Sequence, residues 1–348
     1  MYREDPAGTA RPKISLCVIA QDEEYNLPQC LGPLRGVVNE MVVADTGSGD
    51  RTREVAQSFG ARVFAAQWSD NFAAVRNASI EHARGEWILS MGARDHIDAE
   101  NLLRLKELIG QLNANNVAYT MRRVGVERLP GAGFIEIEQI RLFRNDPLHR
   151  WKYRVCEQIL PSMRLNNCQV RRSAISIRHS GETDPVRRRH ELERDLRLLH
   201  LDHADDPDDP MIQFNLARYF HGLQQPEQAL QFLSGMILER FHNKKIWIGP
   251  YIYRLMVQCH RDLHQSEQAL RVAAEGLAIY PRDTQLQLAK AMILLDGGDT
   301  VEGEEAFRRL LDASEDNRSF KEVRQCPGAG GAKQAETFGR GSPRRFRL

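Results

Sequence analysis

The chain has 348 residues, more than one hydrophobic core usually organises, and its 48 Lys and Arg nearly cancel 47 Asp and Glu to a net charge of +1. That balance excludes a globally basic nucleic-acid binder, and no window approaches the roughly 20 apolar residues that a membrane-spanning helix needs. Six cysteines (Cys17, Cys30, Cys156, Cys168, Cys259, Cys326) lack CxxC spacing, which argues against a structural zinc site or a disulfide framework. The polar opening stretch MYREDPAGTARPK has no apolar signal core. The expectation is a cytoplasmic protein of two domains with reduced thiols.

The first elements alternate. Ile14 to Ala20 reads as a strand, and a polar break leads to a helical stretch with Pro28 at an early helical position. EMVVAD, Glu40 to Asp45, is a second strand. TGSGD then opens a helix, RTREVAQSFG, that stops at Gly60. Ala61 to Ala65 is a third strand, Asp70 to Arg84 a helix closed by Gly85, and Glu86 to Met91 a fourth strand. Strands separated by helices of about 10 to 15 residues predict βαβ units and a doubly wound, mostly parallel α/β sheet. From Val117 to about Arg178 the segments VAYTMRRV, FIEIEQIRLFR, RWKYRV and AISIRH predict an antiparallel flank.

Asp184 to His203 reads as a charged helix with Leu192, Leu196 and Leu199 on its inner face. Its Arg187, Arg188 and Arg189, and His200 and His203 beside Asp202 and Asp205, read as solvated. HADDPDDP is a proline-punctuated junction. Beyond it PEQAL, SEQAL and GEEAF place Ala229, Ala269 and Ala306 at spacings of 40 (269 − 229) and 37 (306 − 269), longer than the roughly 34-residue tetratricopeptide period, yet Leu216, Ala217, Phe220, Ala229 and Leu233 fall on the small and large positions of that repeat. The expected division is a disordered 1–13, an α/β domain over 14–204, helical repeats over 205–316 and a disordered, basic tail over 317–348.

The strand ends gather a nucleotide-shaped set: Glu23 after the first strand, Asp45 after the second, Arg76 and Asn77 before the fourth, and MGARD after it. Carboxylates there can accept hydrogen bonds from a ribose or a base N–H, and an arginine can pair with phosphate or lie against a base. IAQDEEYN has no glycine fingerprint, which excludes a nicotinamide dinucleotide.

ISLCVIAQDEEYNLPQCL, EMVVADTGSGDRT, FGARVF, DNFAAVRNASIEHARGEWIL, RLFRN and VCEQILP resemble, in order, the motifs of inverting family 2 glycosyltransferases. The resemblance is to the bacterial subgroup with tetratricopeptide repeats behind the catalytic domain, and it covers about residues 14–209. It implies an α/β GT-A fold, the Rossmann-like nucleotide-diphospho-sugar transferase arrangement, followed by an all-α repeat domain. It further implies a UDP- or GDP-linked sugar donor, a Mg²⁺ or Mn²⁺ ion and single displacement toward a cell-envelope glycan, lipid or protein. By the same resemblance Glu23 and Asp45 hold the nucleoside and Arg76 sits near the base or diphosphate. Glu157, in Val155-Cys156-Glu157, is the general base, and His179 lies near the diphosphate or metal.

One motif departs. The family's Asp-x-Asp positions carry Gly92 and Arg94, leaving Asp95, with Asp98 nearby, as carboxylates for a cation. Hard cations need oxygen ligands, and arginine has no acceptor. Either Arg94 stands in for the cation in nucleotide binding, or the chain is catalytically inactive and serves as a nucleotide-binding or repeat-mediated protein-interaction module. Trp68, Trp87 and Trp151 read as core or rim aromatics.

Overall fold

The structure, a computed structural model, describes residues 14–113, 115–125, 135–181, 184–240, 248–298 and 300–315. The expectations for 1–13 and 317–348 lie outside these residues. The chain packs as two compact units, residues 1–225 and 226–348.

In the first unit, β1 (Ile14–Ala20), β2 (Glu40–Asp45), β3 (Arg62–Ala65) and β4 (Trp87–Gly92) are parallel and stand in the order β3-β2-β1-β4. Helices α1 (Leu27–Leu31), α2 (Thr52–Ser58) and α3 (Phe72–His82) connect them. With both faces covered, the central strands read as continuous apolar runs: Leu16, Val18, Val42, Val43, Trp87, Ile88 and Leu89 are wholly buried. α3 starts on an Asn71 cap, whose side chain accepts from the Ala74 N–H, and ends at Ala83, two residues before the expected Gly85.

After β4 come β5 (Asp95–His96), α4 (Ala99–Gly110), β6 (Val117–Gly125), β7 (Ile135–Arg144), α5 (Leu160–Leu165) and β8 (Gln169–His179). β7 is antiparallel to β4 and β6, β8 is parallel to β6, and β5 closes on β8, giving one 8-stranded sheet ordered β3-β2-β1-β4-β7-β6-β8-β5. Four flat strand spacings would put β5 about 19 Å from β4. Yet Asp95 follows Gly92 by three residues, a reach of about 11 Å. The sheet must therefore curl at the carboxyl end of β4, folding the antiparallel flank back over the strand ends that carry the candidate site. RWKYRV departs from expectation: residues 150–158 form a loop with one isolated bridge, Lys152 to Gln158.

α6 (Pro185–Asp205) packs against α7 (Pro210–Gly222) within the first unit, so the packing division falls one helix after the HADDPDDP junction. The inner face of α6 holds Leu192, Asp195, Leu198, Leu199 and Asp202, whereas Leu196 is half-buried. The stripe is therefore rotated from the expected one and includes two carboxylates.

The second unit stacks α8 (Pro226–Arg240), α9 (Gly249–Asp262), α10 (Ser266–Ile279), α11 (Thr284–Asp296) and α12 (Thr300–Glu315). Ala229 and Ala269 are fully buried at the fourth position of α8 and α10. In α12 that position belongs to Gly303, and Ala306 is half-buried. The second interval thus becomes 34 residues (303 − 269), matching the tetratricopeptide period. A methyl group on Gly303 would lie 2.7 Å from Leu295, and one on Gly276 2.9 Å from Tyr253, so small residues set the close approach of successive helices.

Candidate functional site

Two loops at the carboxyl ends of β1 and β2 interlock. The Gly49 N–H donates to Asp22 Oδ1 (2.8 Å), Glu24 N–H to Asp50 Oδ2 (3.1 Å), Arg51 N–H to Glu24 Oε2 (3.1 Å) and Glu23 N–H to Thr52 Oγ1 (2.8 Å). These bonds tie Glu23 to the loop that follows β2. Its carboxylate receives Asn26 Nδ2 at 2.7 Å and Arg94 Nε at 2.7 Å. Burial pushes the Glu23 carboxyl up, against the opposing pull of Arg94 and Asn26. A carboxylate offers about four lone-pair positions, so two bonds leave room for a hydroxyl.

Asp45 is fully covered. It accepts the Gly47 and Ser48 N–H groups and Arg53 Nε, the last at 2.6 Å. Burial raises its pKa, but the Ser48 bonds and Arg53 outweigh that and hold it below the usual carboxylate range. In this conformation Asp45 shapes the 46–49 turn and aims Arg53.

Arg94 lies between two carboxylates, Glu23 at 2.7 Å and Glu191 of α6 at 3.1 Å. Glu191 was not singled out from the sequence, where it is one charge among many on α6. Asp95 is 1% exposed and bound on every side: Gly92 N–H at 2.8 Å, His179 Nδ1 at 2.7 Å, Arg141 at 3.2 Å and Arg123 at 3.5 Å. Despite complete burial, Arg141, His179 and Arg123 hold its carboxyl far below the carboxylate range. The structure thus brings Asp95 and His179 together inside a guanidinium cluster. Asp98 caps α4, accepting the Asn101 N–H at 2.9 Å. Among the described residues no group of three His, Cys, Asp or Glu side chains could hold a metal ion. These residues do not fit a divalent cation: two positive side chains and an N–H occupy the carboxylate that it would need.

Arg76 and Glu157 meet. Arg76 Nε donates to Glu157 Oε1 at 2.5 Å, its NH1 donates to Ser90 Oγ at 3.2 Å, and its guanidinium sits 4.9 Å from the Trp151 ring centroid. Ser90 links this pair to Asp95, because its C=O accepts from Arg141 NH1 at 3.1 Å. A continuous polar chain therefore runs Glu157–Arg76–Ser90–Arg141–Asp95–His179. Arg141 is 5% exposed and keeps a buried Nε without a hydrogen-bond partner. A charge inside the apolar run Ile140 to Phe143 was its sequence signal.

The loop carrying Glu157 has two residues in the left-handed region, Tyr153 (φ 77°) and Cys156 (φ 54°). Each such non-glycine residue costs about 1–3 kcal/mol and persists only where its surroundings over-determine it. Trp151 is half-buried against the core with Arg76 over its ring, Trp87 is wholly buried, and Trp68 is half-buried with Nε1 donating to Asp70 at 3.1 Å. Asp202 is not solvated but 6% exposed, taking Arg154 N–H at 2.9 Å and its guanidinium at 2.8 Å. None of the described cysteines forms a disulfide; burial raises the Cys17 thiol to about 12. No helix among the described residues is long and apolar enough to cross a membrane.

Residues 15–173 match the sequence model of Glycosyl transferase family 2. A TPR repeat-containing protein of Synechococcus elongatus is 34% identical over 210 residues, covering 58% of this chain and 51% of its own length. The SPbeta prophage-derived glycosyltransferase SunS of Bacillus subtilis is 22% identical over 295 residues, covering 82% of this chain and 67% of its own. The chain thus spans about half the length of the first relative and two thirds of the second. Among solved structures, glucosyl-3-phosphoglycerate synthase from Mycobacterium tuberculosis, in complex with Mn²⁺, uridine diphosphate and glucosyl-3-phosphoglycerate, superposes with a TM-score of 0.40 at 13% identity. It covers 57% of this chain and 85% of that one.

Proposed function

We propose, from the match of residues 15–173 to the family 2 glycosyltransferase model, that the protein transfers a sugar from a UDP- or GDP-linked donor to an acceptor hydroxyl with inversion at the anomeric carbon. The observation that carries this reading is the meeting of Glu157 and Arg76 at 2.5 Å, with Arg76 also donating to Ser90 of β4. Glu157 takes the acceptor proton as the bond to the anomeric carbon forms, and a nucleoside diphosphate leaves from the opposite face. Glu23 receives a ribose hydroxyl, while Asp45 holds the turn and Arg53 against the nucleoside. Arg94, held between Glu23 and Glu191, takes the position where the family's aspartates would otherwise gather a cation, and its guanidinium N–H groups are the donors a departing diphosphate would meet there. No step runs through a metal. The repeat unit is the surface for a protein or glycan partner.

Calorimetric titration of UDP, GDP and their sugar conjugates, in Mn²⁺ and again in EDTA, tests the reading. Binding that survives EDTA and vanishes in Arg94→Ala supports a site built around arginine. No binding in either buffer sinks it and favours an inactive relative acting through its repeats.

A further inference from the structure

The loop that presents Glu157 is held by helices on both sides. On one side α3 grips it three times. Asn77 Oδ1 accepts the Trp151 N–H (2.9 Å) while its Nδ2 donates to the Trp151 C=O (3.1 Å), Arg76 binds Glu157 at the far end, and the Phe72 N–H donates to the Arg154 C=O (2.8 Å). On the other side Asp202 of α6 accepts the Arg154 N–H and guanidinium. Both peptide groups of Arg154 are therefore engaged, one by each helix. Tyr153 Oη and Lys152 Nζ reach Asp209, the cap of α7, each at 3.0 Å.

Resting on the reading of Glu157 as the base, we propose that Asn77 and Asp202 are positioning residues, which clamp the 151–157 loop between α3 and α6 and so set where the Glu157 carboxylate stands. A loop with one isolated bridge and two left-handed residues does not hold that shape by itself. An apolar residue would fill the place of Asp202 on the inner face of α6 without burying a charge. Its carboxylate is accounted for by what it does to Arg154, three residues before Glu157. The consequence reaches beyond the family-matched segment, because Asp202 lies outside residues 15–173.

The test uses the full chain and the variants Asn77→Ala, Asp202→Ala, Asp202→Asn and Glu157→Gln. Three readouts are taken: UDP affinity by calorimetry, nucleoside diphosphate release from UDP-glucose, UDP-N-acetylglucosamine and GDP-mannose, and trypsin cleavage after Lys152 and Arg154. The clamp predicts that Asp202→Ala, which lies outside the nucleotide-shaped set, keeps UDP affinity and donor KM, and that both alanine variants lose kcat on the order of 100-fold, the effect of about an ångström of misplacement. They are also cut in the loop about tenfold faster than wild type, reporting local opening. Asp202→Asn keeps an acceptor for the Arg154 N–H and recovers most of both losses. A Glu157→Gln variant with wild-type turnover defeats the base reading. If Glu157→Gln is dead while both alanine variants turn over and resist trypsin like wild type, the clamp is wrong. Where no donor turns over, cleavage decides: wild-type resistance in Asp202→Ala and Asn77→Ala overturns it.

Discussion

Replacing Arg141 by Met removes a guanidinium that is 5% exposed from a carboxylate that is 1% exposed, leaving Asp95 charged in the interior. Breaking a buried pair from one side costs about 3–5 kcal/mol. Asp95 retains His179, Arg123 and the Gly92 N–H, which puts the loss at the lower end, about 3 kcal/mol. With a urea slope of about 2 kcal/mol per molar, the midpoint should fall by about 1.5 M. Urea unfolding followed by the fluorescence of Trp87, wholly buried beside β1, reads that transition. The second arm is the double variant Arg141→Met with Asp95→Asn, in which no buried charge is left unpaired. It should regain more than half of the loss, a non-additive result. A midpoint shift below about 0.5 M, or strict additivity of the two single variants, would refute the claim that this ion pair braces the turn between β4 and β5.

Arg94→Ala should abolish transfer even in excess Mn²⁺, as measured by nucleotide release; full activity would remove the arginine from the mechanism. The double variant Gly92→Asp with Arg94→Asp should acquire Mn²⁺ binding, readable by calorimetry, that the wild type lacks. A Cβ at Gly92 would stand at an ordinary 3.4 Å from Asp95 Oδ2, so the change is sterically tolerated. Asp45 and Asp95 have folded-state pKa values below their unfolded ones, so the unfolded chain binds more protons in acid. Their stabilisation is complete above the unfolded value of about 3.9 and is lost as pH falls below it. Acid titration by circular dichroism should show a shallower loss in Asp95→Asn than in wild type. Gly276→Ala should destabilise the repeat unit by about 1–3 kcal/mol through overpacking against Tyr253 and Leu286, seen as a lower melting temperature.

The parallel half of the sheet was legible because each strand is buried on both faces and so writes itself as an apolar run; Ile14–Ala20 and Glu40–Asp45 agree residue for residue with expectation. The 150–158 segment misled for a physical reason. Its alternation of Trp, Lys, Tyr, Arg and Val has the period of a strand, yet its peptide groups find their partners on Asn77 and Asp202, 74 and 48 residues away in sequence. No local pattern carries that information. Asp202 looked solvated because its neighbours His200 and Asp205 are exposed, and only the rotation of α6 turns it inward. Arg141 could have been found, since a lone charge in a continuous apolar run must be paired or expelled. Arg94 was visible as a departure, but Glu191, which completes its setting, became meaningful only when α6 was brought across the site.

The curl that brings β5 back toward β4 also decides what the sheet presents to other molecules. Its two outer strands are β3, four residues long with Arg62 and Ala65 exposed, and β5, two residues long. Neither is long enough to template the row of hydrogen bonds by which one sheet recruits a strand from another chain, and Arg62 adds a charge that such pairing would have to bury. With a net charge of +1 there is little mutual repulsion to keep copies of the chain apart. Protection against edge-to-edge aggregation therefore falls to geometry, and a substitution that lengthened β3 would test that safeguard before it touched the chemistry.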